Sequence, residues 1–216
     1  MNAEHDMDEA NARNIDAPDL GDALKRLLTR HSVGPKHLLP PAPTEEQVRL
    51  AALSALRAPD HRKLVPFRFV LIPDDARPFL GELFADFARR SGKSDDGIAV
   101  ERGRAMLAPL LLAFVARIDH DHDRVPAHEQ WLAAGGALSN FLTALHLMGY
   151  GAKMLSGRKA ADPAIGDAFC QSGETLVGWI AAGTAAEAPH RRRDDSPDAI
   201  LRRWQPRAEK AETERN

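Results

Sequence analysis

A chain of 216 residues with 44% hydrophobic side chains is long enough to bury one substantial core without disulfide staples. Its formal net charge of -2 leaves no electrostatic footprint for nucleic acid, and no basic run interleaved with aromatics occurs in the body of the chain. The single cysteine, Cys170, excludes an internal disulfide, fits a reducing compartment and reads as a helix packing residue.

Residues Met1 to about Pro18 are rich in Asn, Asp, Glu and Ala and lack the apolar stretch of a signal peptide. They read as a flexible extension of a cytoplasmic protein. Asp19 or Asp22 is placed to cap a helix carrying Leu24, Leu27 and Leu28 on one face and ending at Arg30-His31-Ser32. Thr44, with Gln47 three residues later, is a capping-box signature for a helix from Glu45 to about Arg57. The residue before a proline is pushed out of the helical region. The helix should therefore stop near Ala58, leaving Arg57 and His61 just ahead of an apolar strand, Phe67 to Ile72. Two basic helix ends, Arg30-His31-Ser32 and Arg57 to His61, are then expected to converge on one strand, an arrangement suited to a phosphorylated ligand. The plain structural alternative is that these cations complement helix macrodipoles at C-termini.

Pro73-Asp74-Asp75 marks a turn into a helix through Leu80, Leu83, Phe84 and Phe87, and Ile98 to Arg104 forms another short helix. The apolar run Leu110 to Val115 predicts a strand buried on both faces. The loop Asp119-His120-Asp121-His122-Asp123, with His128 and Glu129 nearby, offers ligands of the kind zinc takes. A polar solvated turn is the ordinary form of such a segment between a strand and Pro126.

Trp131 to Ala152 contains no Asp, Glu, Lys or Arg and, at about 1.5 Å per residue, is long enough to cross a bilayer as a helix. Ser139, Asn140, Thr143 and His146 would then lie in hydrocarbon, which favours a helix buried nearly all round in a dimer. Trp131, Gly135, Leu138, Leu142, Leu145 and Gly149 recur at near-heptad spacing, and close helix approach offsets the propensity lost at Gly135 and Gly136. Gly149 to Leu155 predicts a turn and short strand, Asp162 or Pro163 starts a helix, and Leu176 to Ala182 is the last core strand. The expected organisation is an extension over 1-18, a single domain over 19-204 and a polar tail over 205-216. Helices alternating with strands that close into one sheet make it an α+β (mixed α/β layered) fold, a central sheet flanked by helices.

From Leu27 to Thr184 the order of features resembles the FMN-dependent nitroreductase family, in particular its compact bacterial NAD(P)H nitroreductases. The likeness is carried by Arg30-His31-Ser32, by Arg57-Ala58-Pro59-Asp60-His61 with Pro66-Phe67-Arg68-Phe69, and by Val125-Pro126 with Glu129-Gln130. It continues through Gly149-Tyr150-Gly151-Ala152, Ser156-Gly157, Val177-Gly178-Trp179-Ile180 and Gly183-Thr184. The resemblance implies a nitroreductase-like dimer built around the long helix, with flavin sites shared between chains. It implies that Arg30, His31 and Ser32 hold the FMN phosphate and ribityl chain, that Arg57 and His61 contribute across the dimer interface, and that Met154, Leu155 and Ser156 touch the flavin. A basic residue near the phosphate corresponds loosely to Arg191, Arg192 or Arg193, of which Arg193 is taken as the contact. Many members carry a second basic residue two positions after the serine, where this chain has Gly34. Lys36 or Arg57 is left to approach the flavin pyrimidine edge.

The implied activity is FMN-dependent oxidation of NAD(P)H, with hydride passing through flavin N5 to an electron-poor acceptor such as a nitroaromatic or quinone. The chain has no glycine-rich dinucleotide fingerprint, so the nicotinamide would bind transiently over the flavin in ping-pong fashion. No side chain need act as nucleophile, and none is assigned as catalytic. Two alternatives stay beside this reading. One is a specialised oxidation, dehalogenation or loss of reductase activity on the same fold, and the other is metal binding at the 119-123 loop.

Overall fold

The computed structural model describes residues 17-186 and 196-204. Six α-helices and five strands among the described residues are α1 (Ala17–Leu28), β1 (Leu38–Leu39), α2 (Glu45–Ala55), β2 (Phe67–Leu71), α3 (Arg77–Arg90), α4 (Asp95–Gly103), β3 (Leu110–Arg117), α5 (Ala127–Leu147), β4 (Gly151–Leu155), α6 (Pro163–Gly166) and β5 (Glu174–Ala185). The strands form one antiparallel sheet in which β5 is central, bonded to β1, β3 and β4, while β2 adds to β3.

Strand alternation explains the uninterrupted apolar run of β3. Leu110, Leu112 and Phe114 enter the core beneath α2 and α5, whereas Leu111, Ala113 and Val115 enter the core beneath α3. β5 divides in the same way, with Ile180 and Ala182 on the first face and Trp179 and Ala181 on the second. The expected α+β layered architecture is therefore the observed one.

Helix α2 begins with the expected capping box at Thr44 and Gln47. It lies on α5 through Ala51 and Ala55, and Ser54 and Asn140 exchange bonds with each other's carbonyl oxygens at 3.1 and 3.2 Å. On α5 the residues buried are Gln130, Ala133, Ala134, Ala137, Phe141 and Leu145, the i, i+3, i+4 pattern of one helix face. Phe141 stacks on Phe69 of β2 at 4.3 Å. The stripe anticipated for a partner is divided: Leu145 is buried in this face and Leu138 and Leu142 pack against the same core, whereas Trp131 and its neighbour Leu132 are exposed at 40% and 72% within one chain. Gly136 admits the turn after α2 closely, since a Cβ there would lie 3.3 Å from that of Ala58.

Two sequence expectations are corrected. Helix α1 already begins at Ala17, with Pro18 in the first turn where its missing N–H is harmless, so Asp19 and Asp22 lie inside the helix instead of capping it. Cys170 follows the end of α6 and packs partly buried from a loop, not from a helix; burial is the chief cause pushing its thiol pKa up. Among the described residues no helix is long and apolar enough to cross a membrane. The expected tail at 205-216, most of the 1-18 extension and Arg191, Arg192 and Arg193 lie outside the described residues.

Where β3 and β5 pair, the register slips between Phe114 and Val115, leaving Val177 as the extra residue of a bulge. The following Gly178 has φ +153°, and a Cβ there would lie 2.1 Å from the Leu155 carbonyl oxygen. Only glycine lets β4 approach so closely. Gly178→Ala is expected to destabilise the protein by about 3 kcal/mol or more, because backbone must shift; urea unfolding at neutral pH checks this.

Candidate functional site

Segment 30-32 leaves α1 and runs beside β4. Arg30 donates its backbone N–H to Leu27 O at 3.0 Å, Ser32 pairs in parallel with Ala152, and Val33 N–H donates to Ala152 O at 3.1 Å. Gly151 makes this approach possible, since a Cβ there would come within 3.0 Å of Val33 and Leu38. The Ser32 side chain stays exposed, with Arg30 and His31 half-buried. The hook is tied to the C-terminal end of α5 by the Arg26 guanidinium on Leu147 O and by Thr29 Oγ1, which lies 3.1 Å from His146 Nε2.

Beyond the hook lies a cavity of about 700 Å³ on the α3 side of the sheet, walled by residues 34-37, the end of α4, and β4 with the residues after it. Such a volume suits a cofactor-sized ligand. Strand alternation sorts the anticipated flavin contacts of β4. Leu155 and Ser156 line the cavity together with Lys153, while Met154 packs with the opposite core under α5. Lys36 also lines the cavity.

Sequence reasoning missed several wall residues: Arg104, Lys153, Lys159, Phe84 and Trp179. The signal available for Lys153 was its place two residues before Leu155 on one strand face; Arg104 and Lys159 carried none, because they come from separate elements. Lys36 and Lys153 have no salt bridge among the described residues, so their charge faces the cavity and solvent. Trp179 is buried, and its Nε1 has no acceptor among the described residues. Aromatic and aliphatic walls with unpaired cations and a spare donor fit a flat, anionic cofactor.

Arg57 and His61 do not join this group within one chain, which corrects the expected convergence on one strand. They precede β2, on the far side of β3 and β5 from β4. His61 Nδ1 is 2.7 Å from Glu129 Oε2 in the first turn of α5, whereas the 30-32 hook sits near His146 at its other end. That places the two groups roughly 25 Å apart along the helix, at 1.5 Å per residue. The turn is held by Asp60 Oδ2, which accepts the Val65 N–H at 2.7 Å while Arg62, Lys63 and Val65 adopt left-handed φ of 63°, 53° and 49°. Two side chains of the 119-123 loop are spent on nearby backbone N–H groups. Asp119 Oδ1 accepts the Asp121 N–H, and His122 Nδ1 accepts the N–H groups of Arg124 and Val125. Among the described residues no three His, Cys, Asp or Glu side chains gather as a metal site.

Residues 27-184 match the model of the nitroreductase family. The chain is 32% identical over 164 residues to "Putative NAD(P)H nitroreductase YdjA" of Escherichia coli K12, covering 76% of this chain and 88% of that protein. It is 31% identical over 171 residues to a protein of the same description from Haemophilus influenzae, covering 79% and 92%. A nitroreductase-like family protein from Bacillus cereus superposes with a TM-score of 0.69 at 17% identity, covering 87% of this chain and 96% of that one. A Desulfovibrio desulfuricans structure described as in complex with FMN gives 0.61 at 23% identity, covering 85% and 98%. The fold is thus that of the nitroreductases, a class of oxidoreductases. This chain belongs to the nitroreductase family.

Two buried carboxylates stiffen the site and the strand behind it. Glu174 takes a bidentate pair from Arg68 at 2.8 and 2.5 Å, and those bonds hold its pKa down to about 2. Burial pushes Glu101 up, but bonds from Lys159 and Lys93 outweigh it and bring it to about 2 as well. Both values lie below the ordinary 4.5, so the unfolded chain binds more protons between the two pH values. Their stabilisation is complete above pH about 4.5 and is expected to vanish as pH falls towards 2. Urea unfolding between pH 6 and 3 reads that slope, and Glu174→Gln should flatten it.

Proposed function

We propose that the protein is a homodimeric, cytoplasmic FMN-dependent NAD(P)H oxidoreductase, reducing an electron-poor acceptor such as a nitroaromatic or quinone, with each flavin site built from two chains. The observation that carries this reading is the placement of the 30-32 hook and the 57-61 turn at opposite ends of α5. A two-fold related copy laid antiparallel along α5 brings the hook of one chain beside the turn of its partner. Surface chemistry supports the same arrangement. Leu24, Leu27 and Leu28 of α1, Leu50 and Leu53 of α2, and Trp131 and Leu132 of α5 are all exposed in the single chain, and apolar area of this kind marks an interface.

Bound FMN supplies hydride acceptance from NAD(P)H and reduction of the acceptor. The chain supplies the rest. Arg30 offers a planar fork of donors and Ser32 a hydroxyl for the phosphate, with His31 beside them. Arg193 is assigned to the same phosphate as a further cation. Ser156, Lys36 and Lys153 bring polar contact and positive charge along the cavity, Leu155 and Trp179 exclude water from it, and Met154 backs the strand from behind. Arg57 and His61 of one chain complete the site of the other.

The purified protein should show flavin bands after addition of FMN that bleach on anaerobic addition of NADPH or NADH; no titratable flavin overturns the reading. Arg30→Ala should weaken FMN binding by about 10- to 100-fold, the loss of one charge-assisted bond, with little change in unfolding midpoint. Co-expressed Arg30→Ala and His61→Ala chains should regain binding in the mixed dimer, because one of its two sites carries neither substitution. A mixed dimer no better than its parents overturns the shared site.

A further inference from the structure

Glu101 stands in α4 behind the cavity, 4% exposed, and none of the cofactor contacts above uses it. Its Oε1 accepts from Lys93 Nζ at 2.6 Å and its Oε2 from Lys159 Nζ at 2.8 Å, with Arg104 Nε 3.3 Å from Oε2. One carboxylate therefore gathers three cations from the loop after α3, the end of α4 and the segment after β4. Two of them, Arg104 and Lys159, line the cavity. Lys159 also stands 3.9 Å over the Phe84 ring, which is itself part of the cavity wall and meets Trp179 edge-on at 5.1 Å.

Three like charges held this close repel one another, and an ammonium over an aromatic ring is partly desolvated. Burial pushes the Lys159 pKa down, Glu101 opposes that fall, and Arg104 and Lys93 add to it. Without the carboxylate, only the weaker attraction of the Phe84 ring face favours the charged, inward-facing lysine, against burial and two neighbouring cations. We propose that Glu101 is a positioning residue of the cofactor cavity, holding Arg104 and Lys159 in place so that the wall presents fixed positive charge to the anionic part of a flavin nucleotide. This rests on the flavin reading. The anionic part is either the phosphate or the pyrimidine edge of the ring system, and the two respond differently to the same substitution.

The test compares Glu101→Gln and the conservative Glu101→Asp with the unaltered protein. Side-chain NMR of protein labelled with 15N-lysine, assigned with Lys159→Arg, reads the Lys159 titration without any flavin present. Glu101→Gln should lower the pH at which Lys159 loses its proton, and Glu101→Asp should recover part of the difference. Equilibrium binding of FMN and riboflavin then separates the two ligand parts. If the phosphate is the target, FMN affinity should fall about tenfold, the scale of one charge-assisted bond, and riboflavin affinity should hold. If the pyrimidine edge is the target, both affinities change alike and the midpoint potential of bound FMN becomes more negative. In either case the loss should deepen as pH rises through the lowered Lys159 pKa.

An unchanged Lys159 titration, or pH profiles of flavin binding that superimpose, overturns the positioning role. Should Glu101→Gln fail to fold, Lys159→Gln leaves Lys93 and Arg104 to pair with Glu101. It must then reproduce the FMN loss without the pH dependence, and full FMN affinity in that variant overturns the proposal. Failure of the unaltered protein to bind any flavin overturns the flavin reading itself. The lysine titration would still report whether Glu101 holds Lys159.

Discussion

The two-sided burial of β3 and β5 is the constraint on which the rest of the molecule depends. A strand covered on both faces must be apolar at every position, and this one alternates cleanly between a core under α2 and α5 and a core under α3. The same alternation, carried across the sheet to β4, decides which of its side chains line the cavity. Lys153 and Leu155 face the cavity because Met154 faces the other way. Gly178 lets β4 lie that close to β5, so a steric allowance at one glycine sets the position of the cavity wall.

The long helix performs a second division. Its buried face is made of Ala, Phe and Leu packed on the sheet and α2, while Trp131 and Leu132 stay exposed. Gln130 pins its start, accepting the Asp119 N–H and donating to the carbonyls of Asp119 and Val125. With the helix fixed at both ends, the His61 turn and the Arg30 hook are held apart at a set distance. One rigid rod keeping two half-sites apart is the geometry that a two-fold dimer completes, as proposed.

Two buried carboxylates that touch no ligand in the proposed arrangement organise charge in the molecule, Glu101 behind the cavity and Glu174 beside β2 at the far edge of the sheet. Glu174 holds Arg68 and Glu101 holds three cations, and both carboxylates keep their charge down to a pH of about 2. Broken pairs of this burial are destabilising, by roughly 3 to 5 kcal/mol when fully buried and less where a partner is solvated, as Arg68 is. The site is thereby stiffened by the same interactions that make the fold sensitive to acid.

Local chemistry made much of this readable from the chain. Thr44 and Gln47 announce a helix start because a capping box is built within four residues, and the run Leu110 to Val115 announces a doubly covered strand because every residue there is apolar. The hook Arg30-His31-Ser32 and the end of β4 were legible through family resemblance, which compresses the spacing of distant segments into recognisable motifs. What sequence could not convey is which distant side chains meet. Lys93, Glu101, Arg104 and Lys159 look like ordinary surface charges until α3, α4 and the segment after β4 pack together. Arg57 and Arg30 look like companions until the sheet sets β2 and β4 on opposite sides of β3 and β5. The sequence by itself determined the elements, their apolar faces and the family, because these depend on neighbours in the chain. Only the tertiary structure decided which charges share a wall and which half-sites stay apart, because those follow from contacts across many tens of residues.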